Sequence, residues 1–266
     1  MPEEQGSVTV GGSALRVRRE RTLVLLLLIL TAVSWAILIW QSRTMNEMDM
    51  GLTMGMGAIS FLVIWVVMMI AMMFPTVAPM ILVFARVQRD RPSGKRAFVF
   101  TWIFIGAYLL IWTFFGVVAY LGALAASGLA QQVPWIMMNA TKIGGGILVL
   151  AGLYQLTLLK RVCLAKCRAP HDFILHSWHG GSAGSFRMGL EYGIYCLGCN
   201  WLLFVLLFPL GIMNITAMAL LAVLILAEKV LPLGARSAQV AALALILYGV
   251  LVIVIPTALP SSGAGM

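Results

Sequence analysis

The chain contains four cysteines, and they occur as two closely spaced pairs. Cys163 and Cys167 are four residues apart, and Cys196 and Cys199 are three apart. Either spacing places two thiols on one face of a helix. Thiolates are soft ligands that suit Cu(I), Zn and other thiophilic ions. The two pairs therefore indicate metal binding, although cysteine is also a common small hydrophobe in buried helices.

Methionine supplies a second set of soft sulfur groups, with 17 residues in the chain. One group lies in a polar, glycine-containing stretch and consists of Met45, Met48, Met50, Met54 and Met56. The other group lies in an apolar stretch and consists of Met68, Met69, Met72 and Met73. Thioethers favour Cu(I), whereas core filling is the usual reason for helical methionine. Pro75 and Pro79 follow and are expected to free backbone carbonyls, as in the interrupted helices of transporters.

All three histidines, His171, His176 and His179, follow the first cysteine pair. Neutral imidazole would complete a mixed Cys/His site for Zn or Cu. A solvated polar loop explains these residues nearly as well. Glu191 is expected near the start of a membrane helix, where it is either a functional carboxylate or the i, i+4 partner of Arg187.

The elements that must position these groups are membrane helices. Of the 266 residues, 62% are hydrophobic and 10% are charged, whereas soluble domains are about half apolar and about a quarter charged. So few charged side chains cannot cover the surface of a soluble globule of this size. The composition excludes a disordered chain, a secreted disulfide scaffold and an ordinary cytosolic enzyme. It predicts an all-α, polytopic transmembrane helix bundle.

Seven apolar stretches are long enough to span a membrane, which takes about 20 residues. They cover residues 22–40, 57–85, 97–127, 135–159, 187–209, 211–231 and 238–258. The predicted organisation is a partly disordered cytoplasmic tail over residues 1–21, a single transmembrane domain over 22–258 and a short outer tail over 259–266.

The basic residues predict the orientation of these spans. Sixteen of the 18 Lys and Arg residues, including Lys160 and Lys229, fall in the N-terminal tail and in alternate loops, and only Arg43 and Lys142 fall on the other side. Because cytoplasmic loops carry the basic excess, the N-terminus is predicted to be cytoplasmic and the C-terminus outside. The net charge of +9 then needs no nucleic-acid partner. The orientation also places the first methionine group at the outer mouth.

Four separated segments together resemble a bacterial family of predicted metal-binding integral membrane proteins, a domain-of-unknown-function family. They are WVVMMIAMMFPTVAPM at 65–80, YQLTLLKRVCLAKCRAP at 154–170, FRMGLEYGIYCLGCNWLLFVLLFPLGIMN at 186–214 and AEKVLPLG at 227–234. The resemblance implies metal ligands at the four cysteines and among Met68 to Met73, and a multi-pass protein of the bacterial cytoplasmic (inner) membrane. The chain departs from the pattern at Glu191 and Tyr192, where a histidine-containing run is expected, and at Asn200, where a further cysteine is frequent.

The leading hypothesis is a membrane protein that binds a soft metal and moves or delivers it across the membrane through Met and Cys ligands. Cu(I) is the preferred ion, with Zn or another thiophilic metal as the alternative, and the expected partners are lipid and a metal ion or metal chaperone. One alternative is an accessory or structural subunit of a membrane complex or homo-oligomer, since GGGILVLAG at 144–152 allows close helix packing. Another is a membrane thiol–disulfide redox protein. Without a Walker motif, an ATP-driven pump by itself is excluded, and binding or transport is favoured over enzymatic activity.

Overall fold

The computed structural model shows only helices among the regular elements that it describes. It describes residues 6–44, 57–90, 96–212, 214–231 and 234–255. The helices within these ranges are α1 (Gly6–Thr44), α2 (Ala58–Arg89), α3 (Ala97–Gln132), α4 (Pro134–Met138), α5 (Ala140–Gln155), α6 (Leu158–Arg168), α7 (Pro170–Ser177), α8 (Gly181–Val205), α9 (Leu207–Leu210), α10 (Ile215–Val230) and α11 (Gly234–Val254). The predicted all-α class is therefore confirmed for this part of the chain.

Five helical segments in the described ranges are long and apolar enough to cross a membrane. They are Glu20–Thr44, Ala58–Arg89, Ala97–Gln132, Gly181–Leu210 and Arg236–Val254. The chain bends by 63° between α5 and α6. These two helices form a sixth span only if they are counted together as one broken helix. With 16 residues, α10 is about 24 Å long, short of a hydrocarbon core of about 30 Å. The fold is compatible with a membrane protein, and the seven predicted spans are not confirmed.

The stretch predicted as one span over residues 135–159 is divided among three helices. Its last helix, α6, begins where the Thr157 side chain accepts a hydrogen bond from the Lys160 backbone N–H at 3.3 Å. Threonine is a favoured N-cap residue because its hydroxyl satisfies an amide that the helix leaves unpaired. This cap starts a new helix inside the apolar run. As a result, α6 packs against α8 instead of continuing α5 as a straight rod.

The two prolines of α2 do not interrupt it, because α2 is helical on both sides of Pro75 and Pro79. Pro75 has no N–H to donate to the carbonyl of Ala71. That carbonyl instead accepts a hydrogen bond from the Trp35 indole Nε1 at 3.1 Å. The freed oxygen therefore joins α2 to α1.

Glycines bring α5 and α11 into close contact, as the small residues of 144–152 predict. A Cβ added to Gly145 would lie 2.9 Å from the carbonyl oxygen of Gly249, and one added to Gly152 would lie 2.8 Å from that of Ala242. Real Cβ atoms essentially never approach backbone this closely. The two helices can pack at this distance only because these side chains are absent.

Replacing Gly145 with alanine is expected to destabilise the bundle, because the added methyl group must push α11 away. Overpacking of this kind costs about 1–3 kcal/mol. Thermal unfolding in detergent would measure the loss. Gly146→Ala is the matched control, since a Cβ at Gly146 meets nothing within 4 Å, and its melting temperature should not fall. Equal melting temperatures for the two variants would contradict the packing of α5 on α11.

Candidate metal centre

Three thiols from α6 and α8 form a buried thiol cluster, consisting of Cys167, Cys196 and Cys199. The Sγ atoms of Cys167 and Cys199 are 3.9 Å apart, and Cys167 also interacts with Cys196. None of the three is more than 6% exposed, and all four cysteines of the chain are free thiols. The two sequence pairs therefore meet where α6 packs against α8, and thiols of different pairs come into contact there.

Cys163 lies one turn before Cys167 on α6 and faces the same part of α8. A Cβ added to Gly198 would lie 2.9 Å from Cys163 Sγ, so glycine between Cys196 and Cys199 makes room for this thiol. The Tyr154 hydroxyl donates a hydrogen bond to the Gly198 carbonyl, which fixes the end of α5 against α8. Cys163 is 8% exposed and therefore belongs to the interior of the helix bundle.

Polar donors converge on the thiol cluster. The Lys229 Nζ donates to Cys196 Sγ at 3.0 Å, and the Tyr108 hydroxyl lies 3.2 Å from the same sulfur. The Asn200 amide Nδ2 donates to Cys199 Sγ at 3.1 Å and to the Cys196 carbonyl at 2.9 Å. Donors of this kind suit a thiolate, which is the form in which cysteine binds a metal.

A buried ion pair lies on α6 and α10. Lys160 Nζ is 2.7 Å from Glu228 Oε2, with side chains 1% and 0% exposed, and the same ammonium donates to the Gln155 amide oxygen. The predicted orientation treats Lys160 and Lys229 as loop residues. That assignment is wrong, because both are buried residues of helices α6 and α10. Each ammonium is held inside by a specific partner, Glu228 for Lys160 and Cys196 for Lys229.

The methionine cluster lies on the buried face of α2, and each of its side chains is at most 2% exposed. Its members are Met68, Met69, Met72 and Met73. A chain of contacts joins it to the thiols. The Thr76 hydroxyl lies 3.9 Å from the Met73 sulfur and accepts from Lys229 Nζ at 3.4 Å. Lys229 thus stands between Thr76 and Cys196. Core filling and a ligand role both remain consistent with this placement.

The predicted histidine ligands lie outside the thiol cluster. His171 and His176 are exposed, and His179 is half-buried; the Nδ1 atoms of His176 and His179 are each 2.8 Å from a backbone carbonyl nearby in sequence. Met45, Met48 and Met50, with Met54 and Met56, lie outside the described residues. Glu191 accepts from Arg187 Nε at 2.9 Å, in agreement with the ion-pair interpretation.

Within the described ranges, no group of three or more His, Cys, Asp or Glu side chains is arranged to hold a metal ion. Among the residues that the structure describes, His171, His176 and His179 form no such group with the cysteines. The Cys167 and Cys199 sulfurs, 3.9 Å apart, would subtend about 116° at an ion about 2.3 Å from each, the distance typical of a metal–thiolate bond. The spacing of these two sulfurs is therefore compatible with a shared ion.

Sequence reasoning missed Tyr108, Asn200, Glu228 and the inward roles of Lys160 and Lys229. One signal for the last group was present. Glu228 and Lys229 are consecutive charges at the end of an otherwise apolar helix, and an ionisable residue in such a place is a functional candidate.

Long apolar helices around buried thiols define an all-helical protein of membrane-compatible composition. Residues 62–252 match the model of the PpoB2 family, described as a copper chaperone, and the chain belongs to this family. The matched range contains all four cysteines, the methionine cluster and both buried lysines. No curated protein and no solved structure matches the chain. Family membership supports a copper-related role.

The buried ion pair yields a stability prediction. Lys160→Met should destabilise the protein by about 3–5 kcal/mol, because it leaves the Glu228 carboxylate buried without its cation. The double variant Lys160→Met, Glu228→Leu should recover most of that loss, since no uncompensated charge remains. Thermal unfolding in detergent measures both. Lys166→Met, an exposed position on the same helix, serves as control, and a double variant no more stable than Lys160→Met would contradict the pairing.

Proposed function

We propose that this protein binds Cu(I) at the thiols of α6 and α8 and moves or delivers it across the bacterial cytoplasmic membrane. The observation that carries the proposal is the 3.9 Å approach of Cys167 to Cys199, beside Lys229 and Asn200, in a chain of a family described as a copper chaperone. The contact between Cys167 and Cys199 depends on the fold, because α6 must bend away from α5 and pack on α8 to bring the two sulfurs together.

Cu(I) fits this centre better than Zn. Thiolate and thioether sulfurs are the ligands that select Cu(I). The Lys229 ammonium, 3.0 Å from Cys196, also opposes a divalent ion more strongly than a monovalent one.

We propose that copper binds the methionine cluster before it reaches the thiols. Thioethers are neutral at every pH, while thiols bind after losing a proton, so copper passing from Met73 towards Cys196 meets stronger ligands. In the predicted orientation, Met45, Met48 and Met50 collect the ion at the outer mouth. The exposed histidines of α7 take no part in the buried centre and are proposed only as surface contacts for an ion near the inner end.

Cu(I) titration of the purified protein against a chromogenic chelator tests the ligand assignment. Cys167→Ser and Cys199→Ser are each expected to weaken binding by at least about 100-fold, since even residues that only support a ligand cost 10–100-fold. Met138→Leu is the control, because this methionine is 84% exposed and lies outside the path. Undiminished affinity and stoichiometry in a variant without any of the four cysteines would refute the proposed centre.

A separate measurement tests movement across the membrane. Vesicles that contain the protein should accumulate copper, and vesicles with the Cys167→Ser, Cys199→Ser variant should accumulate no more than empty ones. Binding without accumulation would restrict the function to storage or delivery on one side.

A further inference from the structure

A groove lies between α1 and α2, two helices that pack against each other. Its first part is a cavity of about 460 Å³ lined by Glu20, Arg21, Val24, Leu25, Leu82 and Arg86. Its second part, of about 80 Å³, is lined by residues between Val24 and Thr31 of α1 and between Phe74 and Leu82 of α2. Val24 and Leu82 line both parts, so the two cavities form one feature, the α1–α2 groove. None of its lining residues is a proposed copper ligand.

One end of the α1–α2 groove carries an excess of positive charge. Arg21 and Arg86 line it together with a single carboxylate, that of Glu20. Glu20 is shared between two arginines, with Arg86 Nη2 at 3.1 Å and Arg89 Nη2 at 2.7 Å. Asp90, the residue after α2, is not part of the lining. One carboxylate cannot neutralise this set of guanidinium groups, which leaves the charged end suited to an anion.

The rest of the α1–α2 groove is apolar and open to the surface. Leu25 and Leu28 are each more than half exposed. Thr31 is polar, but its hydroxyl donates to the Leu27 carbonyl within α1 at 2.8 Å. From Glu20 to Thr31 the groove follows α1 for about 16 Å, at about 1.5 Å per residue. One leaflet of a bilayer contributes about half of a hydrocarbon core of about 30 Å, so the apolar part is as deep as one layer of acyl chains.

Polar contacts fix both ends of the α1–α2 groove. Glu20 ties α1 to the last turns of α2 at the charged end. At the deep end, the Trp35 indole donates to the Ala71 carbonyl at 3.1 Å, one turn beyond Thr31 on α1. Between these contacts, Ala78 lines the groove with a single methyl group, and a larger side chain there would fill it. The groove therefore lies between two points at which the helices are joined.

We propose that the α1–α2 groove binds one anionic phospholipid. Its phosphate lies against Arg21 and Arg86, because guanidinium groups match the geometry of phosphate oxygens. One of its acyl chains follows Leu25 and Leu82 towards Ala78. In the predicted orientation the charged end faces the cytoplasm, where basic pockets beside membrane helices bind anionic headgroups.

A second copy of the chain fits the α1–α2 groove less well than a lipid does. In a symmetric dimer the same surface patch meets itself, so the charged ends would face each other and repel. A membrane-spanning partner helix would also need a contact along about 30 Å, whereas the groove ends at about half that depth. Positive charge at one end and the depth of one leaflet are together the dimensions of a phospholipid.

Native mass spectrometry of the full-length protein in detergent tests this proposal. Phosphatidylglycerol is the anionic probe, and phosphatidylcholine with the same acyl chains is the zwitterionic one. Wild-type protein should bind one phosphatidylglycerol in preference to phosphatidylcholine. Arg21→Gln, Arg86→Gln should weaken phosphatidylglycerol binding about 30-fold, since each basic residue near an anionic membrane surface contributes a factor of about five. Arg43→Gln, Lys142→Gln is the matched control, because it removes two exposed basic residues outside the groove, and binding should be unchanged.

The acyl-chain part of the proposal has its own variant. Ala78→Phe fills the apolar part of the groove without changing any charge, and it should also lose the bound phosphatidylglycerol. Ala126→Phe, at an exposed position of α3, should retain it. Melting temperatures without added lipid check that all four variants remain folded, and if Ala78→Phe is unstable, the arginine variant alone decides.

Several outcomes would overturn the lipid site. They are equal binding of the two lipids by the wild type, undiminished phosphatidylglycerol binding in the folded arginine variant, and displacement of the lipid by an equal concentration of inorganic phosphate. A dimer that Ala78→Phe abolishes would assign the groove to a second copy instead. The result is independent of copper, because the measurement uses lipid alone and leaves every proposed metal ligand intact.

Discussion

The burial of two lysine ammonium groups in an apolar bundle is the constraint on which the centre depends. A charge removed from water is tolerated only beside a compensating group. Lys160 finds the Glu228 carboxylate at 2.7 Å, and Lys229 finds the Cys196 sulfur at 3.0 Å. These two contacts tie α10 to α6 and to α8. The helices that carry the thiols are therefore held together by electrostatics as well as by packing.

The all-α fold class could be predicted from the sequence, because a chain of such apolar composition has few alternatives to helices in a membrane. Close packing of α5 against another helix was also predictable, since the glycines of 144–152 allow it, but the sequence did not identify α11 as the partner. The division of residues 135–159 was not predictable in the same way. Most of that stretch is apolar, and the break before α6 coincides with a local hydrogen bond, in which the Thr157 side chain caps the helix.

The candidate site was predictable as a set of residue types and not as a geometry. Cysteine spacing indicated two separate pairs, but the contact of Cys167 with Cys199 depends on how α6 packs against α8. Lys160 and Lys229 were misread because a lysine at the end of an apolar run has the same local pattern whether it faces water or a buried partner. Asn200, a departure from the expected family pattern, donates to Cys199, so the position still serves the thiols without supplying sulfur.

The contact between Cys167 and Cys199 makes the proposed ligand set the joint property of two helices. An ion shared by these sulfurs would bind only while α6 remains docked on α8, and binding would in turn favour the docked state. Metal occupancy and the attachment of α6 would then be one equilibrium. The amide exchange rates of a short helix would report whether the protein carries its ion.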